Sequence, residues 1–208
     1  DREDTATAVI LCMGAHARSL GIPREDALTG AGISYCATCD GAFFKEKAVA
    51  VVGGGDTAIS DALYLSRFCT SVTVVHRRDA FRAAAVLVEK AKTVPNIHFA
   101  TSCVPLNLIG DHCVEGLEIM DLKTSVPGVL AVSGILVAVG ITPQSALVKG
   151  VVEMNEGGSI LTNELMKTNI PGVYAAGDIR NTPLRQVITA CSDGAIAATS
   201  ALEFISCH

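Results

Sequence analysis

The sequence predicts an α/β fold in which a Rossmann-like unit, a parallel sheet plus a small antiparallel meander, is inserted into a second, incomplete unit. Three observations predict it. Continuous apolar runs end at glycine in residues 8–14, 48–53 and 135–140, the pattern of strands covered on both faces. The middle run opens a glycine turn, Gly53-Gly54-Gly55-Asp56-Thr57-Ala58, and apolar residues then recur at helical spacing over 59–68. Between the last two runs, residues 97–121 change to short alternating segments. The two outer runs flank the glycine turn, so the expected divisions are 1–17, 18–128 and 129–208, with the middle one inserted.

Composition narrows the function classes. Half of the 208 residues are hydrophobic and 19 are glycine, which suits an ordered α/β protein. A net charge of −5 argues against general nucleic-acid binding. The most apolar run, 128–141, is too short to span a bilayer and is broken by Ser133 and Gly134, so no membrane role is expected. Eight cysteines without a disulfide-scaffold spacing point to a reducing compartment, the cytoplasm. Nothing resembles a signal peptide. The first residue is Asp, and the expectation is a sequence that begins partway through a longer product.

In chain order, residues 8–14 read as a buried strand. Residues 15–35 read as a loop, punctuated by Gly21, Pro23, Gly30 and Gly32. That loop delivers Cys36-Ala37-Thr38-Cys39-Asp40-Gly41. Cys-x-x-Cys lets two sulfurs close a small ring and cycle between dithiol and disulfide, the thiolate being the attacking species. A short helix opening near Thr38 would stabilise that thiolate through its amides. Asp40, next to the second sulfur, could carry its protons. The alternative is half of a zinc site, which needs a second close pair of ligands. The other cysteines, Cys12, Cys69, Cys103, Cys113, Cys191 and Cys207, are scattered singly and are expected to be buried and inert.

Residues 48–52 form the next strand. In the turn after it, Gly53 permits a tight bend, Gly55 lets backbone approach a pyrophosphate, and Ala58 lets the helix pack on the strand. Asp56 and Thr57 open that helix. An ordinary strand–helix turn is the alternative. Residues 72–75 form another strand, ending at His76-Arg77-Arg78, with Arg82 beyond. An acid at this strand end selects NAD by bonding the ribose 2′-hydroxyl. Basic groups favour a 2′-phosphate, hence NADPH, over the alternative of a solvated strand end. Asp79 is a competing acid further along. Residues 83–92 read as a helix, 97–99, 104–106 and 114–119 as the meander, and 135–140 as a buried strand. A short strand and turn are expected at 160–165, and a strand at 172–178 ending in Gly177-Asp178. A helix from Gln186 to Phe204 has Arg185-Gln186-Val187 at its start, where backbone N–H groups point outward.

Together these motifs resemble the low-molecular-weight, bacterial-type thioredoxin reductase family, over nearly all of the 208 residues. Cys36 to Gly41 is similar to its redox motif. Gly53 to Ala58 with His76, Arg77, Arg78 and Arg82 is similar to its NADPH site. Gly177-Asp178 and Arg185-Gln186-Val187 are similar to its C-terminal FAD contacts. The resemblance implies an NADPH domain inserted into an FAD domain, usually in a homodimer, with electrons passing from NADPH through FAD to Cys36–Cys39 and on to thioredoxin. It further implies that Cys39 faces the flavin, that Cys36 attacks the partner disulfide, that Asp40 is the acid/base, and that Asp178 bonds the ribityl chain. The family's N-terminal FAD fingerprint is absent, Cys12-Met13 stands where Ala-Thr is favoured, and Cys191-Ser192 where Ala and Gly are. The expectation is therefore that these residues alone bind NADPH, retain FAD weakly or not at all, and do not turn over. Two alternatives remain: a related flavoprotein disulfide reductase with another protein partner, such as a peroxiredoxin, and a truncated NADP-binding module.

Overall fold

The computed structural model describes residues 3–207. They divide into two units. One is the continuous stretch Arg18–Gly140. The other joins the chain up to Ala17 with the chain from Ile141 onward. In chain order, β1 (Val9–Leu11) and β2 (Ala15–Ala17) belong to the two-segment unit. The continuous unit follows with α1 (Glu25–Leu28), β3 (Ile33–Ser34), α2 (Ala37–Asp40), β4 (Ala48–Gly53), α3 (Asp56–Leu65), β5 (Ser71–His76) and α4 (Ala85–Lys92). It ends with β6 (Ile97–Thr101), β7 (Cys103–Ile109), β8 (Gly116–Asp121), β9 (Pro127–Leu130) and β10 (Gly134–Ala138).

The continuous unit is built on a parallel sheet of order β3-β10-β4-β5-β6. Successive side chains of a strand point to opposite faces. On one face, Val49 and Val51 meet Ala58, Ile59, Ala62 and Leu65 of α3 with Val88 and Ala91 of α4. On the other, Ala50, Val52, Val75, Ile135 and Val137 meet Leu28, and Leu117 and Ile119 of the meander. Both faces of β4 are thus dry, which is why its sequence is continuously apolar. Each fully buried valine there contributes about 1.5–3 kcal/mol.

Three sequence expectations change here. The second division moves from 128/129 to 140/141, because β10 pairs with both β3 and β4 inside this sheet. Residues 97–99 belong to β6, the parallel edge strand, so the meander is β7-β8-β9 instead. A period-two pattern shows one solvated face but does not say which sheet a strand joins. The connection at 15–35 is also not a plain loop, since it contains β2, α1 and β3. The β7–β8 ladder shifts register between Pro105 and Asn107, where proline has no N–H to give.

The two-segment unit adds β11 (Ile141–Pro143), β12 (Val173–Ala175) and the helix α5 (Val187–Ser206). β1 pairs in parallel with β12, and β2 pairs antiparallel with β11. β1 is shorter than the predicted 8–14 run, and Val9 and Ile10 are 44% and 38% exposed, because a two-stranded sheet covers only part of each strand. Tyr174 is fully buried and donates its hydroxyl to the Ser200 carbonyl of α5 at 3.0 Å. Gly172, at φ 79°, allows this close approach, since a Cβ there would come within 2.9 Å of the Thr7 carbonyl and the Phe204 ring. The expected strand at 160–165 is reduced to isolated bridges of Ile160 with Met154 and Arg180. No described helix is long and apolar enough to cross a membrane.

Candidate functional site

Cys36 and Cys39 form a disulfide with their Cα atoms 5.3 Å apart. The helix begins one residue earlier than expected: α2 starts at Ala37, and Cys36 is its N-cap, with extended backbone at φ −142° and ψ 97°. The Cys39 amide donates to Cys36 Sγ at 3.2 Å. The same contact would stabilise a thiolate on Cys36 after reduction, since an amide N–H favours the charged sulfur. Ser34 ties the acid to this pair. Its hydroxyl donates to Asp40 Oδ2 at 2.6 Å and accepts from the Cys36 amide at 3.1 Å. Ser34 is 4% exposed, so these bonds compete little with water. Sequence reasoning missed it, although a serine two residues before an N-cap is a turn-forming type. Glu25 was also missed. Its buried carboxylate accepts from the Leu20 and Gly21 amides and the Tyr35 hydroxyl at 2.8, 2.9 and 2.8 Å. Burial, with Glu25 as acceptor, pushes the Tyr35 phenol up to about 12. Glu25 thereby fixes the chain on both sides of α1, directly before Cys36.

The glycine turn lies between β4 and α3 as predicted. A Cβ on Gly53 would meet Ala58 Cβ at 2.8 Å and the Ala138 carbonyl carbon at 3.0 Å, so the helix packs here only on a bare backbone. A Cβ on Gly55 would meet nothing within 4 Å, leaving open space at the N-terminus of α3 for a ligand. The turn is roofed by the basic loop. Gly54 O accepts the Arg82 amide at 2.8 Å and the Ala83 amide at 3.2 Å. Asp56 Oδ1 accepts the Ala84 amide at 2.7 Å, so this acid orders the loop. Gly53, Gly54, His76, Arg77 and Arg82 line one cleft of about 380 Å³.

His76 departs from expectation. It is 7% exposed, its ring stacks on Phe81 at 5.2 Å, and it occupies the space a Gly54 side chain would need. Burial, and then Arg82, Arg77 and Arg78 beside it, hold the imidazole below its ordinary range despite a bond to the Ala80 backbone. It is therefore a neutral packing group, not a fourth cation. Its Nε2 is buried without a partner, an unmatched polar atom in a cleft that fits a polar ligand. Arg77, Arg78 and Arg82 are exposed. Among the described residues, no carboxylate lies within ion-pair distance of them. Asp79, the competing acid, is engaged elsewhere, by Lys123 and Ser102 at 2.6 Å each.

The remaining predicted residues lie in the two-segment unit. Gly177 and Asp178 open the tight 3-10 turn Gly177–Ile179. Arg185 Nε reaches the Asp178 carbonyl at 3.4 Å. Gln186 is the N-cap of α5, bonded reciprocally with Thr189, and Val187 is 82% exposed. Asp178 Oδ1 is buried without a partner, the acceptor that a ligand hydroxyl would satisfy. Arg180 and Asp193 had no sequence signal, being thirteen residues apart. Arg180 donates to both Asp193 oxygens at 2.6 and 2.9 Å, and the Gly177 amide to Oδ2 at 3.1 Å. Arg180 holds the Asp193 carboxyl below the usual range despite burial.

The cysteine expectation is corrected in part. Cys69 and Cys103 are buried, but Cys12, Cys113, Cys191 and Cys207 are exposed. Among the described residues, no group of three or more His, Cys, Asp or Glu side chains is placed to hold a metal.

A family model described as pyridine nucleotide-disulphide oxidoreductase matches residues 1–194. The chain is 45% identical over 212 residues to the thioredoxin reductase of Peptoclostridium acidaminophilum, covering 99% of this chain and 67% of that protein. It is 44% identical over 207 residues to the thioredoxin reductase of Mycolicibacterium smegmatis, with the same coverage. Among solved structures, thioredoxin reductase from Streptococcus pyogenes MGAS5005 matches with a TM-score of 0.91 at 40% identity, over 97% of this chain and 66% of that one. The Giardia duodenalis enzyme matches at 0.89 and 36%, over 96% and 66%. The chain thus spans about two thirds of the length of these relatives. It belongs to the pyridine nucleotide-disulphide oxidoreductases and, within them, to the thioredoxin reductase family, and its Cys36–Cys39 disulfide fits the redox-active centre of that family.

Proposed function

We propose, from this family membership and the site geometry, that the chain serves an NADPH-dependent thioredoxin-disulfide reductase. One observation carries the reading. A Cys-x-x-Cys disulfide with a fixed carboxylate beside it shares one unit with a glycine turn and three arginines that have no ion-pair carboxylate among the described residues. The unit Arg18–Gly140 binds NADPH, with Gly53, Gly55 and Thr57 facing the pyrophosphate, and Arg77, Arg78 and Arg82 taking the 2′-phosphate. The other unit contributes to FAD binding through Gly177, Asp178, Arg185, Gln186 and Val187. When bound, the flavin supplies the two-electron relay between the nicotinamide and the disulfide.

The chain's own residues do the thiol chemistry. Two electrons and two protons open Cys36–Cys39 to the dithiol. Cys36, as thiolate, attacks one sulfur of the thioredoxin disulfide. That bond breaks, a mixed disulfide forms on Cys36, and the departing sulfur takes up a proton. Cys39, deprotonated, then attacks Cys36 Sγ, the mixed disulfide breaks, and the second thioredoxin thiolate leaves. Asp40, oriented by Ser34, carries the proton to and from the sulfurs. A homodimer and a cytoplasmic location are proposed on the family likeness and on the cysteine usage.

The test uses the chain without added coenzyme. It is reduced with dithiothreitol, freed of the reductant, and mixed with oxidised thioredoxin. The reading predicts transfer of one dithiol per chain, abolished in Cys36→Ser. Retention of all thiols on the chain would reject it.

A further inference from the structure

The strand end that carries the basic residues also carries an acid, Asp79, directly after Arg77 and Arg78. An exposed carboxylate there would repel a ribose phosphate and could accept a ribose hydroxyl, opposing the selectivity of the arginines. The structure shows the carboxylate occupied twice on one oxygen. Lys123 Nζ and Ser102 Oγ both reach Asp79 Oδ1, at 2.6 Å each.

Neither contact is accidental to the backbone. Ser102 is 7% exposed and adopts a left-handed conformation at φ 53° in the junction between β6 and β7, which a non-glycine residue rarely does. Its amide donates to the Arg78 carbonyl at 3.3 Å, and its own carbonyl accepts the Leu122 amide at 2.7 Å. The Lys123 backbone is set in turn by Asp121, whose Oδ1 accepts the Lys123 and Thr124 amides at 2.7 and 3.0 Å. Ser102 therefore joins the basic strand end to the β8–β9 turn that presents the lysine. Lys123 and then Ser102 hold the Asp79 carboxyl below its usual range, and Asp79 raises the Lys123 ammonium.

We infer that Lys123, assisted by Ser102, determines coenzyme specificity from just outside the lining of the nucleotide cleft: it neutralises and tethers Asp79, so that the arginine cluster acts on a 2′-phosphate unopposed. The inference rests on the NADPH reading above. As a surface ion pair the contact adds little to stability. Its effect is on the local field, and that effect is largest at low salt.

The experiment measures NADPH and NADH dissociation constants of the full chain at low ionic strength, for the unmutated protein, Lys123→Met, Asp79→Asn and the double variant. Freeing a unit charge beside a bound phosphate is worth on the order of threefold to tenfold in affinity. Lys123→Met is expected to reduce the NADPH-over-NADH preference by about that factor. Asp79→Asn in the same chain is expected to restore it to within about twofold, which a merely structural role of the lysine would not do. An unchanged preference in Lys123→Met, or a loss that Asp79→Asn does not rescue, would overturn the inference while leaving the coenzyme reading intact. Equal affinities in the unmutated protein would overturn the coenzyme reading, and this inference with it.

Discussion

Asp61 lies on α3, three residues after Ala58 and four before Leu65, both of which are buried against the sheet. Burial alone, with no opposing charge or hydrogen bond, pushes its carboxyl up to about 6. Moving a carboxyl from the ordinary 3.8 to about 6 corresponds to about 3 kcal/mol between its two protonation states. The sign follows from linkage. The folded chain binds this proton more tightly than the unfolded chain, so the penalty of ionised Asp61 is absent below pH 3.8, grows between there and pH 6, and is complete above it. Asp61→Asn removes the charge and leaves a partly buried amide, which costs about 1 kcal/mol of its own. The variant is therefore expected to be about 2 kcal/mol more stable at pH 7.5 and no more stable than the parent at pH 3.5. Urea unfolding at a series of pH values measures the difference. A variant equally or less stable at pH 7.5, or a difference that does not change between pH 4 and 7, would refute the assignment of the cost to a desolvated charge. Because α3 carries the glycine turn at its N-terminus, the same substitution should leave NADPH affinity unchanged or slightly improved.

Arg77→Ala and Arg82→Ala should each weaken NADPH binding about tenfold or more, the value of one charge-assisted contact of roughly 1.5–3 kcal/mol, and leave NADH binding unaffected; titration calorimetry at fixed salt reads both. After mild oxidation, peptide mapping should find only Cys36 and Cys39 joined. Brief alkylation should modify Cys12, Cys113, Cys191 and Cys207, and spare Cys69, whose thiol burial pushes up to about 11. Asp193→Ala should destabilise its unit by up to about 3 kcal/mol, because it leaves the part-buried Arg180 side chain without its carboxylate. Because its folded carboxyl is held below the usual range, the Asp193 contribution is present above the unfolded value of about 3.8 and is lost as pH falls through the lower folded one. Thermal melts in acid against neutral buffer would show it as a variant whose deficit shrinks at low pH.

The parts legible in the sequence were those with local physical signatures. A continuous apolar strand, a glycine turn and a helix in that order could be placed because each step constrains its neighbour, and the Cys-x-x-Cys spacing could be placed because ring closure needs it. The choice of sheet was not legible. Residues 97–99 carry the same alternation in the parallel edge strand as they would in the meander, and residues 135–138 read as a strand without revealing β3 and β4 as partners. Burial of single charged residues was likewise hidden. His76 reads as a cation beside Arg77, yet Gly54 and Phe81 turn it into neutral packing. Lys123 and the Arg180–Asp193 pair act through contacts between separate turns, which no spacing encodes.

The central claim is that Cys36 is the sulfur that meets the partner protein while Cys39 resolves it. A reduced Cys39→Ser chain, mixed with thioredoxin whose resolving cysteine is replaced by serine and whose remaining active-site cysteine carries thionitrobenzoate as the leaving group, tests it by intact mass and peptide mapping. The prediction is a covalent one-to-one complex through Cys36, with no such complex from a Cys36→Ser chain; a complex formed equally through Cys39, or none through either cysteine, would contradict it.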